Sequence, residues 1–188
     1  GCKVLAIGGR LHEQKGVGKL LEMLALLRPE FPDVRLIVMG RRETYDGEFR
    51  PQAVRLGVDD LVVPTGWLGP EELPLAYAAA DVFVTPSLCF DTFGIVNLEA
   101  MEQRRPGVAT RFGGSMEVVE DGVSGLLCPV DDLEGFARHL VSTLADRERS
   151  AAMGAAARER ATLLFDRRQV VEQYEGLYRR LLQGNDSA

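Results

Sequence analysis

The chain has 188 residues, of which 46% are hydrophobic and 27% charged, with a formal net charge of -6. This balance indicates one globular domain with a sizeable core and excludes a disordered or fibrous chain. The acidic charge argues against general nucleic-acid binding, which needs a basic surface, and no apolar run approaches the roughly 18 residues of a membrane span.

Short apolar runs recur along the chain with helical patterns between them, at 4–7, 34–39, 61–63, 82–84 and 108–109. Such runs are typical of strands covered on both faces, as in a parallel sheet. The first intervening helix has one apolar face made of Val17, Leu20, Leu21, Leu24 and Leu27. The alternation predicts an α/β fold with right-handed crossovers, a Rossmann-like doubly wound parallel sheet, and ligand sites beyond the carboxyl ends of its strands.

Further helices are predicted from similar patterns. One lies near 71–79, where Gly69 and Pro70 mark its start and acidic residues follow at the positive end of the helix dipole. Apolar periodicity predicts C-terminal helices within about 133–182. We therefore expect a single domain over residues 1–183 and a flexible tail over 184–188.

The cysteines Cys2, Cys89 and Cys128 are odd in number and widely spaced, and they form neither a Cys-x-x-Cys pair nor a Cys/His cluster. This usage favours reduced thiols in a cytoplasmic protein over disulfides or a structural metal. The N-terminus also lacks the pattern of a secretory signal.

The loop after the first strand carries two glycines and two cations, Gly8, Gly9, Arg10 and Lys15, directly before a helix. Glycines permit close approach of a ligand to the backbone, and a helix N-terminus favours an anion, so Arg10 and Lys15 are candidates to neutralise a diphosphate. A tight turn with two solvated cations explains the same residues. The spacing matches neither the dinucleotide fingerprint nor a P-loop.

The segment 86–101 gives a sharper signal. After the strand at 82–84 it is expected to cross the top of the sheet and feed a buried helix that begins near Gly94. Glu99 lies roughly 7 to 8 Å along that helix from Gly94 and needs a specific partner, because a buried unpaired carboxylate is costly. A ligand with phosphates on the helix N-terminus offers Glu99 a pair of hydroxyls. The alternatives are a helix cap for Asp91 and a salt bridge at the helix edge for Glu99.

Several ordered motifs resemble the retaining glycosyltransferases of the large family 4, and specifically the C-terminal donor-binding half of their GT-B fold. The matching segments cover almost the whole chain and read GGRLHEQKG, GWLGPEELPLAYAAADVFVTPS, FDTFGIVNLEAM and ATRFGGSMEVVEDGVSGLL. The resemblance implies that Gly9, Arg10 and Lys15 lie at the donor diphosphate, with both cations assisting its departure. It also implies that the backbone of Phe93, Gly94, Ile95 and Val96 cradles phosphate, that Glu99 holds the ribose hydroxyls, and that the loops around Gly40 and Leu68 receive the base.

Two departures from the family pattern stand out. The family has two glutamates with seven residues between them, and this chain has Asp91 and Glu99 at that spacing. By the resemblance the first acid, catalytic Asp91, lies against the donor sugar on an arm shorter by one methylene. Arg104 occupies a helix-end position that usually suits glycine.

The resemblance implies glycosyl transfer from a UDP- or GDP-linked sugar with retained anomeric configuration and without a metal cofactor, since no Asp-x-Asp cluster is present. It also implies an N-terminal acceptor domain, for which the chain has no room before its first strand, so we expect the isolated chain to be inactive or very weakly active. Homodimerisation through the face left uncovered is a further expectation, and membrane association is open. The rival hypotheses are a non-catalytic nucleotide-binding or interaction module and another GT-B-like enzyme such as a nucleotide-sugar epimerase.

Overall fold

A computed structural model describes residues 2–88 and 93–184, the last two by their backbone only. Six strands in these ranges form one parallel sheet in the order β3-β2-β1-β4-β5-β6. They are β1 Val4–Gly8, β2 Arg35–Met39, β3 Val62–Gly66, β4 Val82–Thr85, β5 Gly107–Thr110 and β6 Gly125–Cys128. The order reverses between β1 and β4, which creates a crevice at their carboxyl ends and confirms the predicted doubly wound Rossmann-like fold.

Helices cover both faces of this sheet, as the alternation of patterns predicts. The α-helices that the structure describes are α1 Val17–Leu27, α2 Arg42–Thr44, α3 Arg50–Arg55, α4 Leu73–Ala79, α5 Ile95–Glu102, α6 Ser115–Val118, α7 Leu133–Ala145, α8 Arg147–Phe165 and α9 Arg167–Gly184. A π-helical turn, Tyr45–Phe49, joins α2 to α3, and 3-10 turns occupy Glu13–Lys15 and Asp59–Leu61. Gly184, assigned to the tail by its sequence, is the last residue of α9, and residues 185–188 lie outside the described ranges.

The main core lies between the sheet and helices α1 and α7. The predicted apolar face of α1 is buried in full, with 0% exposure for Val17, Leu20, Leu21, Leu24 and Leu27. Burying each such leucine contributes about 1.5 to 3 kcal/mol, so this one face stabilises the packing of α1 on the sheet strongly.

Strand β6 and the start of α4 differ from the sequence expectations. β6 is a four-residue run that pairs with β5, where a Cβ atom on Gly125 would lie only 2.4 Å from the carbonyl oxygen of Gly107. Glycine is therefore required for the two strands to approach.

Helix α4 starts at Leu73, with Pro74 in its first turn, because Glu72 accepts a hydrogen bond from the Gly69 N–H and closes a preceding turn.

Candidate functional site

A pocket of about 280 Å³ opens at the carboxyl ends of β1, β2 and β3, next to the beginning of α5. Its lining consists of Gly9, Met39, Gly40, Trp67, Leu68, Leu73, Tyr77, Val96 and Glu99. Five residues that the sequence analysis selected, Gly9, Gly40, Leu68, Val96 and Glu99, thus come together from four separate loops and helices. The crevice of a doubly wound sheet is where ligands of this fold class bind.

The floor of the pocket is bare backbone because the loops after β1 and β2 touch. A Cβ atom on Gly40 would lie 2.6 Å from Cγ of Leu11 and 2.8 Å from the carbonyl oxygen of Gly9. The Gly9 N–H donates to the Met39 carbonyl at 3.0 Å, and Gly9 has a φ of 106° that disfavours other residues. Glycine at both positions leaves the space above them to a ligand.

Glu99 has the specific partner that its position in an apolar helix predicts. The hydroxyl of Tyr77 donates a hydrogen bond of 2.6 Å to its Oε2. Tyr77 is 2% exposed, and burial, followed by the hydrogen bond and charge of Glu99, raises the pKa of its phenol well above the usual value. The phenol therefore stays protonated and donates. Oε1 of Glu99 accepts no hydrogen bond from any residue that the structure describes.

Helix α5 begins without a side-chain cap. Its N-cap Gly94 adopts a left-handed conformation with φ 82°, and the first intrahelical bond runs from the Asn97 N–H to the Gly94 carbonyl at 2.9 Å. The preceding N–H groups point out of the helix end and favour an anion. The loop after β1 lies close by, since a Cβ atom on Gly9 would be 3.5 Å from Cγ1 of Val96.

Comparison with known proteins decides the family. The sequence profile described as "Glycosyl transferases group 1" matches residues 2–146. The chain belongs to the group 1 glycosyltransferases. Its assignment to family 4 within that group stays a prediction.

Individual relatives agree with this group 1 assignment. The D-inositol 3-phosphate glycosyltransferase of Corynebacterium urealyticum is 36% identical over 186 residues, which are 94% of this chain and 43% of the relative. Sucrose-phosphate synthase from Thermosynechococcus elongatus has a TM-score of 0.86 at 28% identity, over 97% of this chain and 46% of that chain. Anabaena HepE, solved in complex with UDP and glucose, has a TM-score of 0.82 at 29% identity, over 92% and 48%.

The group 1 chain therefore matches the GT-B glycosyltransferases in fold, as its sequence predicts. It spans less than half the length of these relatives.

The two predicted cations of this group 1 glycosyltransferase domain lie beside the pocket rather than in its lining. Arg10 is exposed, and Lys15 is half-buried at the end of the 3-10 turn that leads into α1. Both follow β1 in the chain, Arg10 directly after the pocket residue Gly9. The third predicted catalytic residue, Asp91, lies outside the described residues.

A buried polar cluster supports the start of α5 from below. The hydroxyl of Thr85 donates to Oδ1 of Asn97 at 3.0 Å, and that of Thr110 donates to the carbonyl of Ser87 at 2.8 Å. Asn97 is 2% exposed, and its Nδ2 has no hydrogen-bond partner among the residues that the structure describes. This cluster fixes the carboxyl ends of β4 and β5 relative to the helix.

One expectation about α5 is wrong. Its apolar composition predicts burial on most sides, but Ile95 is 63% exposed. The helix end projects beyond the sheet, so its first side chain has nothing to pack against among the described residues. Ile95 thus offers its backbone to the crevice and its side chain to solvent.

Sequence reasoning missed Tyr77, Trp67, Met39 and Leu73 as pocket residues. A tyrosine in the Ala-rich stretch of α4 was the available signal for Tyr77, because a tyrosine hydroxyl that becomes buried requires a hydrogen-bond partner. In the described ranges no group of three or more metal-binding side chains occurs, and no helix there is long and apolar enough to cross a membrane.

Proposed function

We propose that this domain binds the nucleoside-diphosphate sugar donor of a retaining hexosyltransferase and stabilises the departing nucleoside diphosphate. One observation carries the proposal, namely the convergence of an apolar pocket, the Glu99 carboxylate and the uncapped start of α5 in one crevice. Each of these three parts suits a different part of such a ligand.

Glu99 suits the ribose. A carboxylate with one oxygen held by Tyr77 and the other free accepts hydrogen bonds from a pair of neighbouring hydroxyls. The apolar wall at Leu68 and the bare backbone at Gly40 suit a flat base, which contacts both through its faces and edges.

The start of α5 suits the diphosphate. The backbone N–H groups of Phe93, Gly94, Ile95 and Val96 precede Glu99 by about 4.5 to 9 Å along the helix axis. This range corresponds to the distance between a ribose and its phosphates. HepE of Anabaena has been solved with UDP-glucose, and its chain is 29% identical to this one. That likeness supports a nucleotide sugar as the ligand.

Catalysis in this proposal is electrostatic. The leaving diphosphate gains negative charge as the glycosidic bond breaks, and Arg10, Lys15 and the α5 N–H groups offset that charge. We propose that these groups suffice without a metal ion, and that Asp91 contacts the donor sugar.

The remaining parts of the function belong to a longer protein. We propose that an acceptor-binding domain closes the crevice from the other side, since a site between two domains needs both walls. The isolated chain then binds the donor weakly and transfers little of its sugar. In this proposal the complete enzyme acts in the cytoplasm and retains the anomeric configuration of the sugar. Homodimerisation stays a prediction that analytical ultracentrifugation tests.

The test is calorimetric titration of the 188-residue chain with UDP, GDP and ADP, with and without EDTA. We expect one nucleotide to bind preferentially, equally well in both buffers. Glu99→Ala should weaken that binding about tenfold or more, because hydrogen bonds to a charged group contribute about 1.5 to 3 kcal/mol each. Arg10→Ala should weaken it by a similar factor.

Two matched controls separate the site from general effects. Glu102→Ala removes an exposed carboxylate from the same helix, and Arg55→Ala removes an exposed cation from α3. Both should bind as the unchanged chain does. Absence of binding at millimolar nucleotide, or equal losses in the control variants, would refute the proposal.

A further inference from the structure

Trp67 lies at the rim of the pocket, where the chain leaves β3. The β2–β3 register shifts by one residue before Gly66, and Gly66 has a φ of 78°. The chain therefore turns sharply there. The Gly40 N–H donates to the Gly66 carbonyl at 3.2 Å, which holds the turn against the loop after β2.

The two residues after this turn differ in burial. Leu68 packs against the core cluster that contains Tyr77 and Phe83, whereas Trp67 is 79% exposed. Leu68 thus anchors the loop, and the indole of Trp67 borders the pocket with most of its surface in water. A single exposed apolar side chain is ordinary, but one that forms the rim of an apolar pocket is positioned for a ligand.

The side chains that line the pocket restrict the kinds of interaction by which it can bind a base. Among its side chains only Glu99 carries a charge, and the hydroxyl of Tyr77 is already engaged by Glu99. Side chains that would read the hydrogen-bonding edge of a base are thus missing from this lining. A flat aromatic ring binds the face of any base and needs no such edge contact.

We propose that Trp67 stacks on the nucleobase of the donor nucleotide and contributes most of the affinity for the base. This inference rests on the proposed function, since it specifies the base position of the same site. Selectivity between bases then comes from backbone groups near Gly40 and Leu68, and the larger rings of a purine gain more from the stack than those of a pyrimidine.

The protein supplies its own probe, because Trp67 is the only tryptophan in the chain. We would titrate the 188-residue chain with UDP and GDP while following tryptophan emission, and measure the same affinities by calorimetry. Stacking should quench the emission with a saturable dependence that gives the calorimetric Kd. Free N-acetyltryptophanamide at the same nucleotide concentrations corrects for collisional quenching.

Variants separate stacking from simple apolar contact. Base–aromatic stacking is worth about 1 to 3 kcal/mol, so Trp67→Ala should weaken nucleotide binding about tenfold. Trp67→Leu should lose nearly as much, and Trp67→Phe should stay within about threefold of the unchanged chain. Ribose 5-phosphate has no base and should therefore bind every variant with the same affinity. Leu75→Ala, an exposed change on α4, is the control variant and should bind UDP as the unchanged chain does.

The outcomes distinguish this inference from the proposed function. Calorimetric binding of UDP or GDP with unchanged emission, or with equal affinity for Trp67→Ala, overturns the role of Trp67 and leaves the proposed function standing. A lack of nucleotide binding by calorimetry overturns both.

Discussion

The hydroxyl of Tyr77 on α4 donates a 2.6 Å hydrogen bond to Oε2 of Glu99 on α5, across 22 positions of sequence. The ring of Tyr77 is fixed in turn by an edge-on contact with Phe83, at 5.1 Å between ring centroids. Tyr77 therefore sets the direction in which Glu99 presents its free oxygen to the pocket.

Tyr77→Phe should weaken UDP binding about five- to tenfold, because a hydrogen bond to a charged group orients the carboxylate and is lost. If Glu99 holds the ribose, the preference for UDP over 2′-deoxy-UDP should shrink in the same variant. Calorimetry with both ligands measures the two effects. Tyr174→Phe, on the exposed face of α9, is the matched control. Unchanged discrimination in Tyr77→Phe would contradict a positioning role.

Arg104→Gly should stabilise the protein. Arg104 has φ 57° and is the one non-glycine residue in the described ranges with a positive φ, at a helix-end position that usually suits glycine. Relief of this left-handed strain should raise the free energy of unfolding by about 1 kcal/mol. Urea denaturation measures the change. The neighbouring Arg105→Gly relieves no such strain and should destabilise, so a gain in both variants would argue against the explanation.

One substitution, glycine to alanine, should have opposite effects on α8 and α9. A Cβ atom on Gly154 would lie 2.1 Å from the carbonyl oxygen of Arg104, so Gly154→Ala should push α8 away from the end of α5 and cost about 1 to 3 kcal/mol. Around Gly176 the nearest atom is Nη1 of Arg180 at 3.7 Å. Gly176→Ala should therefore stabilise by up to about 1 kcal/mol through helix propensity. Thermal and urea unfolding test both signs.

Tyr45→Phe should stabilise the chain at neutral pH by about 1 kcal/mol. Tyr45 is 1% exposed, and its buried hydroxyl has no hydrogen-bond partner within residues 2–88 and 93–184, so its removal recovers a desolvation penalty. Urea denaturation at pH 7 measures the gain, and a loss of stability would indicate that the hydroxyl has a partner in solution.

The same substitution should alter the response to alkaline pH. Burial, and next the charge of Asp59, raises the pKa of Tyr45 from 10.0 to about 12. Because the pKa is higher in the folded state, the folded protein holds the Tyr45 proton more tightly than the unfolded chain does. The resulting contribution to the free energy of unfolding is complete below pH 10 and is lost as the pH rises towards 12. The free energy of unfolding should fall over this window in the unchanged chain and fall less steeply in Tyr45→Phe. Tyr77 is unchanged in both proteins and contributes equally to each, so the difference between the two slopes belongs to Tyr45.

Patterns with a local cause were predictable from the sequence. The apolar face of α1 and the start of α5 at Gly94 both follow from the residues within a few positions. Strand β6, Gly125–Cys128, was missed, and its first residue is a glycine that the close approach of β5 requires.

The site was predictable in part for the same reason. Glu99 was identifiable as a carboxylate that needs a partner, whereas the partner Tyr77 lies on another helix and is brought near by the crossover through β4. Trp67 was missed because exposure is decided by the turn at Gly66, which depends on the register of β3 against β2.

Some positions near the crevice have no space for a side chain, whereas others carry side chains that are largely exposed to solvent. Alanine at Gly16, Gly40 or Gly114 would collide with Pro86, Gly9 or Phe93, so these sites are closed even to the smallest change. Trp67 and Ile95 stand beside them with most of their surface free. Related domains can therefore change their ligand specificity through substitutions at the rim residues alone, while the glycine positions stay unchanged.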